Sequence, residues 1–75
     1  MVKPTTVTNQ IRALRFAHGE MTQAELGKQI GMTRQTVIAI EQGRYSPSLE
    51  TGFRIAQVFG VPLEDVFQFN QGETA

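Results

Sequence analysis

Apolar residues recur every three or four positions along most of the chain, and glycine or proline separates one such stretch from the next. This spacing is typical of amphipathic helices, because side chains three and four positions apart share one helix face. The pattern predicts helices over about 8–18, 23–30, 34–42, 49–59 and 63–67, with at most a few residues of strand near 67–69. The predicted fold class is all-α, a compact five-helix bundle over residues 8–69, with an N-terminal arm at 1–7 and a flexible tail at 70–75.

Polar residues that suit helix N-caps stand at the predicted starts of three helices. Thr22 and Glu25 have the spacing of a capping box, in which each side chain satisfies a backbone N–H of the other residue. Thr33 and Ser48 are expected to cap the third and fourth helices. The predicted apolar faces are Val7, Ile11, Leu14 and His18 for the first helix and Leu49, Gly52, Phe53, Ala56 and Phe59 for the fourth.

The second and third helices have the spacing of a helix-turn-helix, two short helices joined by a tight turn. Gly27 stands where the two helices must nearly touch, and Gly31 stands in the turn, where a left-handed backbone favours a residue without Cβ. Thr33 can cap the second of these helices. The inner positions are apolar: Leu26, Ile30, Met32, Val37 and Ile40. All of these requirements are met together, which indicates a helix-turn-helix more specifically than any one residue could.

The composition of this 75-residue chain excludes several functional classes. It has no cysteine and one histidine, His18, which argues against a disulfide scaffold, a zinc site and a cysteine nucleophile. Ser46 and Ser48 have no accompanying acid, oxyanion loop or nucleophile elbow, so no enzyme activity, cofactor or metal is expected. No apolar run approaches the roughly 20 residues of a membrane span and no signal peptide is recognisable, so a soluble cytoplasmic protein is expected.

Seven basic and seven acidic side chains cancel over the whole chain, but they are unevenly distributed. Residues 1–48 carry six basic and three acidic side chains, whereas residues 49–75 carry one basic and four acidic ones. A neutral protein with one basic end can still present a local positive field to a polyanion. The charge pattern is therefore compatible with binding of a polyanion by the N-terminal two thirds.

The stretches Thr22–Gly27 and Gly31–Leu49 resemble the phage repressor/Cro-type helix-turn-helix family, also called the xenobiotic-response-element family. The resemblance extends over about residues 11–67 and is to the minimal single-domain members. It implies a lambda-repressor-like DNA-binding domain that binds operator DNA, usually as a homodimer. It also implies a structural ion pair between Arg15, at the end of the first helix, and Glu41, near the end of the third.

The third helix is predicted to read bases. Winding it at about 100° per residue turns Val37 and Ile40 inward. The side chains then predicted to face outward are Arg34, Gln35, Ile38, Ala39 and Gln42. Arg and Gln in the first turn suit the DNA major groove, because they can form bidentate hydrogen bonds with guanine and adenine. Arg34 and Gln35 are therefore expected to contact bases. Ile38 and Ala39 are expected to contact a thymine methyl. The alternative is that the Arg and Gln are simply solvated on an exposed helix.

Contacts with the DNA backbone are expected at the edges of the same unit. Gln23 and the N–H groups at the start of the second helix can meet a phosphate at the positive end of the helix dipole. Thr33 and Thr36 can add hydroxyl contacts, and Arg44 adds a positive charge in the loop after the third helix. Such contacts position a protein on the duplex and make binding depend on salt, without specifying bases.

Three phenylalanines are not explained by a single bundle. Phe16 lies off the predicted core face, and Phe67 and Phe69 fall at the end of the last helix. They are either covered when the C-terminal segment folds back or exposed as a dimer surface, since exposed aromatic clusters mark contact sites. Gly52 is expected to leave room for a neighbouring phenylalanine. Tyr45 is expected to pack its ring in the loop after the third helix rather than to stack on a base.

Together these features predict a sequence-specific transcriptional regulator of double-stranded DNA, a repressor that binds a short palindromic operator as a homodimer. Two half-sites about one helical turn apart would multiply the weak affinity of one small module. No domain for a small-molecule ligand is expected, and the protein would lie in the cytoplasm, at the nucleoid when bound to DNA. One alternative is an antitoxin or anti-repressor module that mainly binds a protein partner through the acidic C-terminal third. Another is a purely structural helical bundle.

Overall fold

The computed structural model describes residues 7–69 of the chain. In chain order, the elements are β1 (Val7–Asn9), α1 (Ile11–Ala17), α2 (Gln23–Ile30), α3 (Arg34–Glu41), α4 (Leu49–Phe59), α5 (Leu63–Val66) and β2 (Phe67–Phe69). The five predicted helices are confirmed, and α2 has the predicted bounds. α3 ends one residue earlier than predicted, with Gln42 as its C-cap. No helix in this part of the chain is long and apolar enough to cross a membrane.

The expectation of a purely helical fold is wrong in one respect, because the ends of the described chain form a small sheet. β1 and β2 pair antiparallel, with Val7 opposite Phe69 and Asn9 opposite Phe67. The first helix consequently begins at Ile11 rather than near residue 8. β2 lies at 67–69, where the sequence allowed a few residues of strand. β1 was not predicted, because a strand of three residues is too short to show a recognisable alternation.

Two predicted segments fall at the limits of the described chain. Val7, predicted as the last residue of the N-terminal arm, belongs to β1. The rest of that arm, residues 1–6, and the predicted tail, residues 70–75, lie outside the described residues. The structure therefore bears on the folded domain and not on these terminal segments.

Side-chain caps begin three of the helices, as the sequence predicted. In the capping box of α2, the Thr22 hydroxyl accepts from the Glu25 N–H at 3.0 Å and the Glu25 carboxylate accepts from the Thr22 N–H at 2.8 Å. The hydroxyls of Thr33 and Ser48 accept from backbone N–H groups in the first turns of α3 and α4. Each cap satisfies donors that have no partner within the helix, which fixes where the helix begins.

The core gathers one face of each helix. Its buried apolar residues are Ile11, Leu26, Ile30, Val37, Ile40, Ile55, Ala56, Phe59 and Val66. Full burial of a valine, leucine, isoleucine or phenylalanine side chain contributes about 1.5–3 kcal/mol to stability. The inner positions predicted for the helix-turn-helix are among these residues, except that Met32 is only half-buried against them. The packing of α2 and α3 is thus continuous with that of the whole domain.

The predicted apolar face of α4 is wrong at two positions. Leu49 is 68% exposed and Phe53 is 51% exposed, whereas the other three predicted positions are buried. Ile55, which the predicted face did not include, is fully buried. α4 has apolar residues around much of its circumference, so the helical period alone could not decide which of them the bundle covers.

Candidate nucleic-acid interface

The turn between α2 and α3 has the geometry that its glycines predicted. Gly31 has a φ of +74°, a left-handed conformation that favours glycine, and its N–H donates to the Gly27 carbonyl. A Cβ on Gly27 would lie 2.6 Å from the Met32 carbonyl oxygen, closer than real contacts allow. The turn and the N-cap of α3 can therefore lie this close to α2 only with glycine at position 27. The predicted helix-turn-helix is confirmed.

α3 presents one polar flank to solvent. Val37 and Ile40, which were predicted to face inward, are buried and pack α3 against the core. Arg34 and Gln35, in the first turn, are exposed, and so is Gln42 at the C-cap. Ile38 and Ala39 are half-buried. The exposed side of the helix therefore begins with two long polar side chains and continues with small or partly covered apolar ones.

Hydrogen-bond donors lie at both ends of this flank. Thr33 and Thr36 are joined at the start of α3 by a 3.1 Å hydrogen bond between their hydroxyls. Arg44 is exposed in the loop after α3, and its Nε donates to Gln42 Oε1 at 2.8 Å. The guanidinium group has five N–H donors, so this contact leaves it further donors for an anion.

A buried ion pair joins the end of α1 to the end of α3. Arg15 Nε lies 2.7 Å from Glu41 Oε2, Arg15 Nη2 lies 3.2 Å from Oε1, and the two side chains are 8% and 10% exposed. Arg15 Nη1 donates to the Met21 carbonyl at 2.7 Å. The Gln23 side chain donates to Glu41 Oε1 at 3.2 Å. Gln23, which is expected to contact a phosphate, is therefore held by the same carboxylate that pairs with Arg15. These hydrogen bonds offset the desolvation of the buried charges.

An open groove of about 810 Å³ lies between α1, α3 and the first residues of α2. Its walls include Arg12 and Phe16 from α1, Gln23 from α2 and Arg34 from α3. The guanidinium carbons of Arg12 and Arg15 lie 5.4 and 5.6 Å from the centre of the Phe16 ring. The groove thus brings residues expected to contact DNA next to a part of α1 that the sequence did not connect with DNA.

Asn9 is a residue of this region that sequence reasoning missed. Its side-chain N–H group donates to the carbonyl of Ile40 at 3.0 Å and to that of Glu41 at 3.4 Å, at the C-terminal end of α3. Its Oδ1 accepts from the Ile11 N–H at 3.1 Å, at the start of α1. Asparagine just before a helix is a recognisable capping signal. The contact with α3 spans 31 positions in sequence and leaves no local pattern.

The three phenylalanines that were expected to be either covered or part of a dimer surface lie in different surroundings. Phe16 is 53% exposed on α1 and lies in the groove described above. Phe67 is half-buried against the core, and a Cβ on Gly52 would lie 3.6 Å from its ring. Phe67 is thus the phenylalanine beside Gly52, but a Cβ there would make an ordinary contact with its ring, so the ring does not require a glycine at this position. Phe69 is exposed at the end of β2.

An exposed apolar surface that the sequence did not predict lies on α4 and the segment after it. Leu49 and Phe53 are exposed and stand one helical turn apart. Phe53 also lines a cleft with Val61, Pro62 and Leu63. These five residues are called the α4 patch below.

His18 and Tyr45, which the sequence also singled out, each lie beside other side chains of the protein. His18 is the exposed C-cap of α1, and its ring lies edge-on to that of Phe59 with the ring centres 5.2 Å apart. Tyr45 follows α3 and lines a shallow depression with Met32 and Ala39. Both aromatic rings therefore have neighbours within the protein.

Comparison with known sequences also indicates a helix-turn-helix protein. The sequence profile of the helix-turn-helix family HTH_3 matches residues 11–66. The chain is 46% identical over 65 residues to MJ0272, an uncharacterized HTH-type transcriptional regulator of Methanocaldococcus jannaschii, covering 87% of this chain and 97% of that one. It is 36% identical over 59 residues to the cryptic phage CTXphi transcriptional repressor RstR of Vibrio cholerae, covering 79% of this chain and 52% of RstR.

A solved structure has the same fold. The crystal structure of a proposed DNA-binding protein from Bacteroides fragilis matches with a TM-score of 0.72 at 21% identity, covering 83% of this chain and 98% of that one. The fold, the turn geometry and the family profile agree over the same residues. The protein is a member of the Cro/C1-type helix-turn-helix family, which comprises DNA-binding transcriptional regulators.

Proposed function

We propose that the chain is a transcriptional repressor that recognises a specific sequence in double-stranded DNA by inserting α3 into the major groove. One observation carries the proposal: Arg34 and Gln35 are exposed in the first turn of a helix whose opposite side is buried in the core. Each can form a bidentate pair with a base, worth about 1–3 kcal/mol of discrimination. Ile38 and Ala39 would contact thymine methyls. Repression is proposed because RstR of Vibrio cholerae is named a transcriptional repressor.

The surroundings of α3 support this orientation on DNA. Thr33, Thr36 and Arg44 offer donors at the two ends of α3, and Gln23 stands in the first turn of α2. Phosphates bound at these positions would hold α3 at one depth and register in the groove. Since binding a phosphate releases counterions from the duplex, the affinity is expected to fall as salt rises.

A homodimer that binds a palindromic operator is part of the proposal, and its interface is assigned to the α4 patch. Leu49 and Phe53 are large apolar side chains exposed side by side, a feature of contact surfaces. α4 and the segment after it carry none of the proposed DNA contacts, so a second copy could cover them while both copies of α3 stay accessible. Two half-sites about 34–36 Å apart then bind cooperatively through their high effective concentration.

Fluorescence anisotropy with labelled duplexes tests base reading. The probes are genomic fragments that include the gene's own promoter, with a random duplex of equal length as reference. One fragment is expected to bind preferentially, and the double change Arg34→Ala and Gln35→Ala should remove that preference. Arg54→Ala takes one positive charge from the exposed surface of α4 and is the matched control. Equal binding of every duplex, or a preference that survives the double change, contradicts the proposal.

Analytical ultracentrifugation tests the dimer surface. Phe53→Glu is expected to give monomers with an unchanged circular dichroism spectrum, because Phe53 is half exposed and a charge there opposes burial against a second copy. Phe69→Glu places the same charge at the end of β2 and should leave the dimer intact. Dissociation by Phe69→Glu but not by Phe53→Glu would move the interface to the C-terminal strand.

A further inference from the structure

Arg12 and Phe16 on α1 form an exposed pair that takes part in neither the DNA contacts nor the dimer interface proposed above. The Arg12 guanidinium carbon lies 5.4 Å from the centre of the Phe16 ring, and both side chains are exposed. They line the same groove as Arg34 and Gln23. The pair therefore lies beside the flank of α3 that is proposed to face DNA.

The position of the Arg12 guanidinium over the Phe16 ring suits an arginine that binds an external anion. A guanidinium over an aromatic ring contacts the ring through its flat face, so the N–H donors along its edge stay available. Two such donors match two oxygens of a phosphate. An attraction between the Phe16 ring and the Arg12 guanidinium would restrict this long side chain and so lower the conformational entropy lost on binding.

Arg15, the other arginine near the Phe16 ring, is already engaged. Its Nε and Nη2 donate to Glu41, and its Nη1 donates to the Met21 carbonyl. Arg15 and Glu41 also cancel each other's charge. Among the described residues, the remaining charged groups of the groove wall are Arg12, Arg34 and Glu20, which leaves an excess of positive charge.

We propose that Arg12 binds a phosphate of the DNA backbone and that Phe16 is the platform that orients its guanidinium. α1 is then a third DNA-contacting element beside α2 and α3. The inference rests on the proposed function, and it assigns Phe16 to DNA binding instead of to the dimer surface. A phosphate contact at this position strengthens binding to every duplex alike and does not change base preference.

Salt titrations of binding test the role of Arg12. They compare the unmodified protein with Arg12→Ala, Arg12→Lys and Arg54→Ala on the preferred fragment and on a random duplex. Arg12→Ala should weaken binding to both duplexes by the same factor and lower the slope of log Kd against log salt by about 0.9 for each bound copy. Arg12→Lys retains the charge without the planar fork, so it should keep the slope and bind less tightly. Arg54→Ala should change neither quantity.

Phe16→Leu tests the platform, because it keeps an apolar side chain and removes the ring. Binding should weaken by less than with Arg12→Ala. The double variant should bind no more weakly than Arg12→Ala alone, since the ring acts through the guanidinium. Sedimentation should show an unchanged dimer. Additive effects of the two changes, or dissociation of the dimer by Phe16→Leu, would overturn the role given to Phe16.

Failure of this inference differs from failure of the proposed function. If Arg12→Ala binds like Arg54→Ala while the Arg34→Ala and Gln35→Ala double variant loses its preference, the α1 contact is wrong and base reading by α3 stands. If the Arg34→Ala and Gln35→Ala double variant also keeps its preference for the fragment, both the α1 contact and base reading by α3 are wrong. Thermal unfolding of each variant checks the fold, and the exposed positions of Arg12 and Phe16 predict little change in Tm.

Discussion

The helix-turn-helix and the C-terminal part of the domain each contain a glycine inside a helix, and the two glycines differ in what surrounds them. A Cβ on Gly27 in α2 would lie 2.6 Å from a backbone oxygen, whereas a Cβ on Gly52 in α4 would lie 3.4 Å from the Leu63 side chain. The first distance is a clash and the second is an ordinary contact. At Gly27 the backbone of the turn before α3 lies against α2, whereas at Gly52 α4 meets the side chains of Leu63 and Phe67.

The two ion pairs of the described chain show the same contrast. Arg15 and Glu41, which link α1 to α3, have side chains 8% and 10% exposed. Arg54 and Glu50, one turn apart on α4, have side chains 54% and 76% exposed. A buried charge depends on its partner, whereas an exposed one is solvated and screened whether or not it is paired.

The difference indicates how the domain divides its tasks. The orientation of α3 is constrained by a close backbone contact, by the buried ion pair and by the Asn9 side chain at its C-terminal end. A surface held in one orientation loses little entropy when it binds, which favours affinity and register on DNA. The α4 patch instead exposes apolar side chains, and covering them with a partner would be favourable because it removes apolar surface from water. The following predictions test this contrast.

Removing Glu41 should have the largest effect on stability. Glu41→Ala leaves the Arg15 guanidinium buried without its carboxylate, which is expected to cost about 3–5 kcal/mol of unfolding free energy. Glu50→Ala, at the exposed pair on α4, should cost less than about 1 kcal/mol. Urea unfolding of the two variants measures both values. Similar losses at the two sites would remove the distinction between them.

An alanine at Gly27 should push α2 away from the turn that leads into α3. Gly27→Ala is expected to destabilise the fold by roughly 1–3 kcal/mol through overpacking and to weaken DNA binding, because the start of α3 would shift. Urea unfolding gives the stability, and anisotropy on the preferred fragment gives the affinity. A variant as stable and as active as the unmodified protein would show that the close approach is not required.

Loss of the Asn9 side chain should have a moderate effect on stability and a measurable one on DNA binding. Asn9→Ala removes hydrogen bonds at the end of α3 and the start of α1, at a cost of about 1 kcal/mol. Gln68→Ala in β2 is the control, since Gln68 donates to the Glu64 carbonyl and does not reach α3. Weaker operator binding is expected from Asn9→Ala alone. Equal binding by the two variants would exclude a role for Asn9 in positioning α3.

The smallest expected change is a gain in stability. Gly52→Ala places a methyl group at ordinary distance from Leu63 and Phe67 and adds the helix propensity of alanine, for a gain of up to about 1 kcal/mol. Such a gain would raise Tm by roughly 4–8 °C in a domain of this size. Differential scanning calorimetry measures it, with Gly27→Ala as the variant of opposite sign. A lower Tm for Gly52→Ala would mean that α4 packs as tightly as α2.

Local signals predicted most of the helical framework. Thr22, Thr33 and Ser48 marked the starts of three helices, and Gly31 marked the turn, because caps and turns are formed by residues only a few positions apart. The outward position of Arg34 and Gln35 followed from helical winding alone. These features depend on short stretches of chain, so a single sequence contains the information for them.

Features that join distant stretches were missed. The β1–β2 pairing brings together the two ends of the described chain, and Asn9 reaches the end of α3 from strand β1. The exposure of Leu49 and Phe53 was mispredicted because α4 offers more apolar surface than its neighbours cover. The groove that unites Arg12 with Arg34 likewise depends on how α1 packs against α3.

By itself, the order of residues determined where α2, α3 and α4 begin, the tight turn between α2 and α3 and the class of protein to which the chain belongs. Only the tertiary structure decided which side of α4 is covered, what holds the end of α3 and which arginines share a groove. Hydrogen bonds within a helix turn act over four positions of the chain. The packing that orients whole helices depends on contacts whose partners no local pattern identifies.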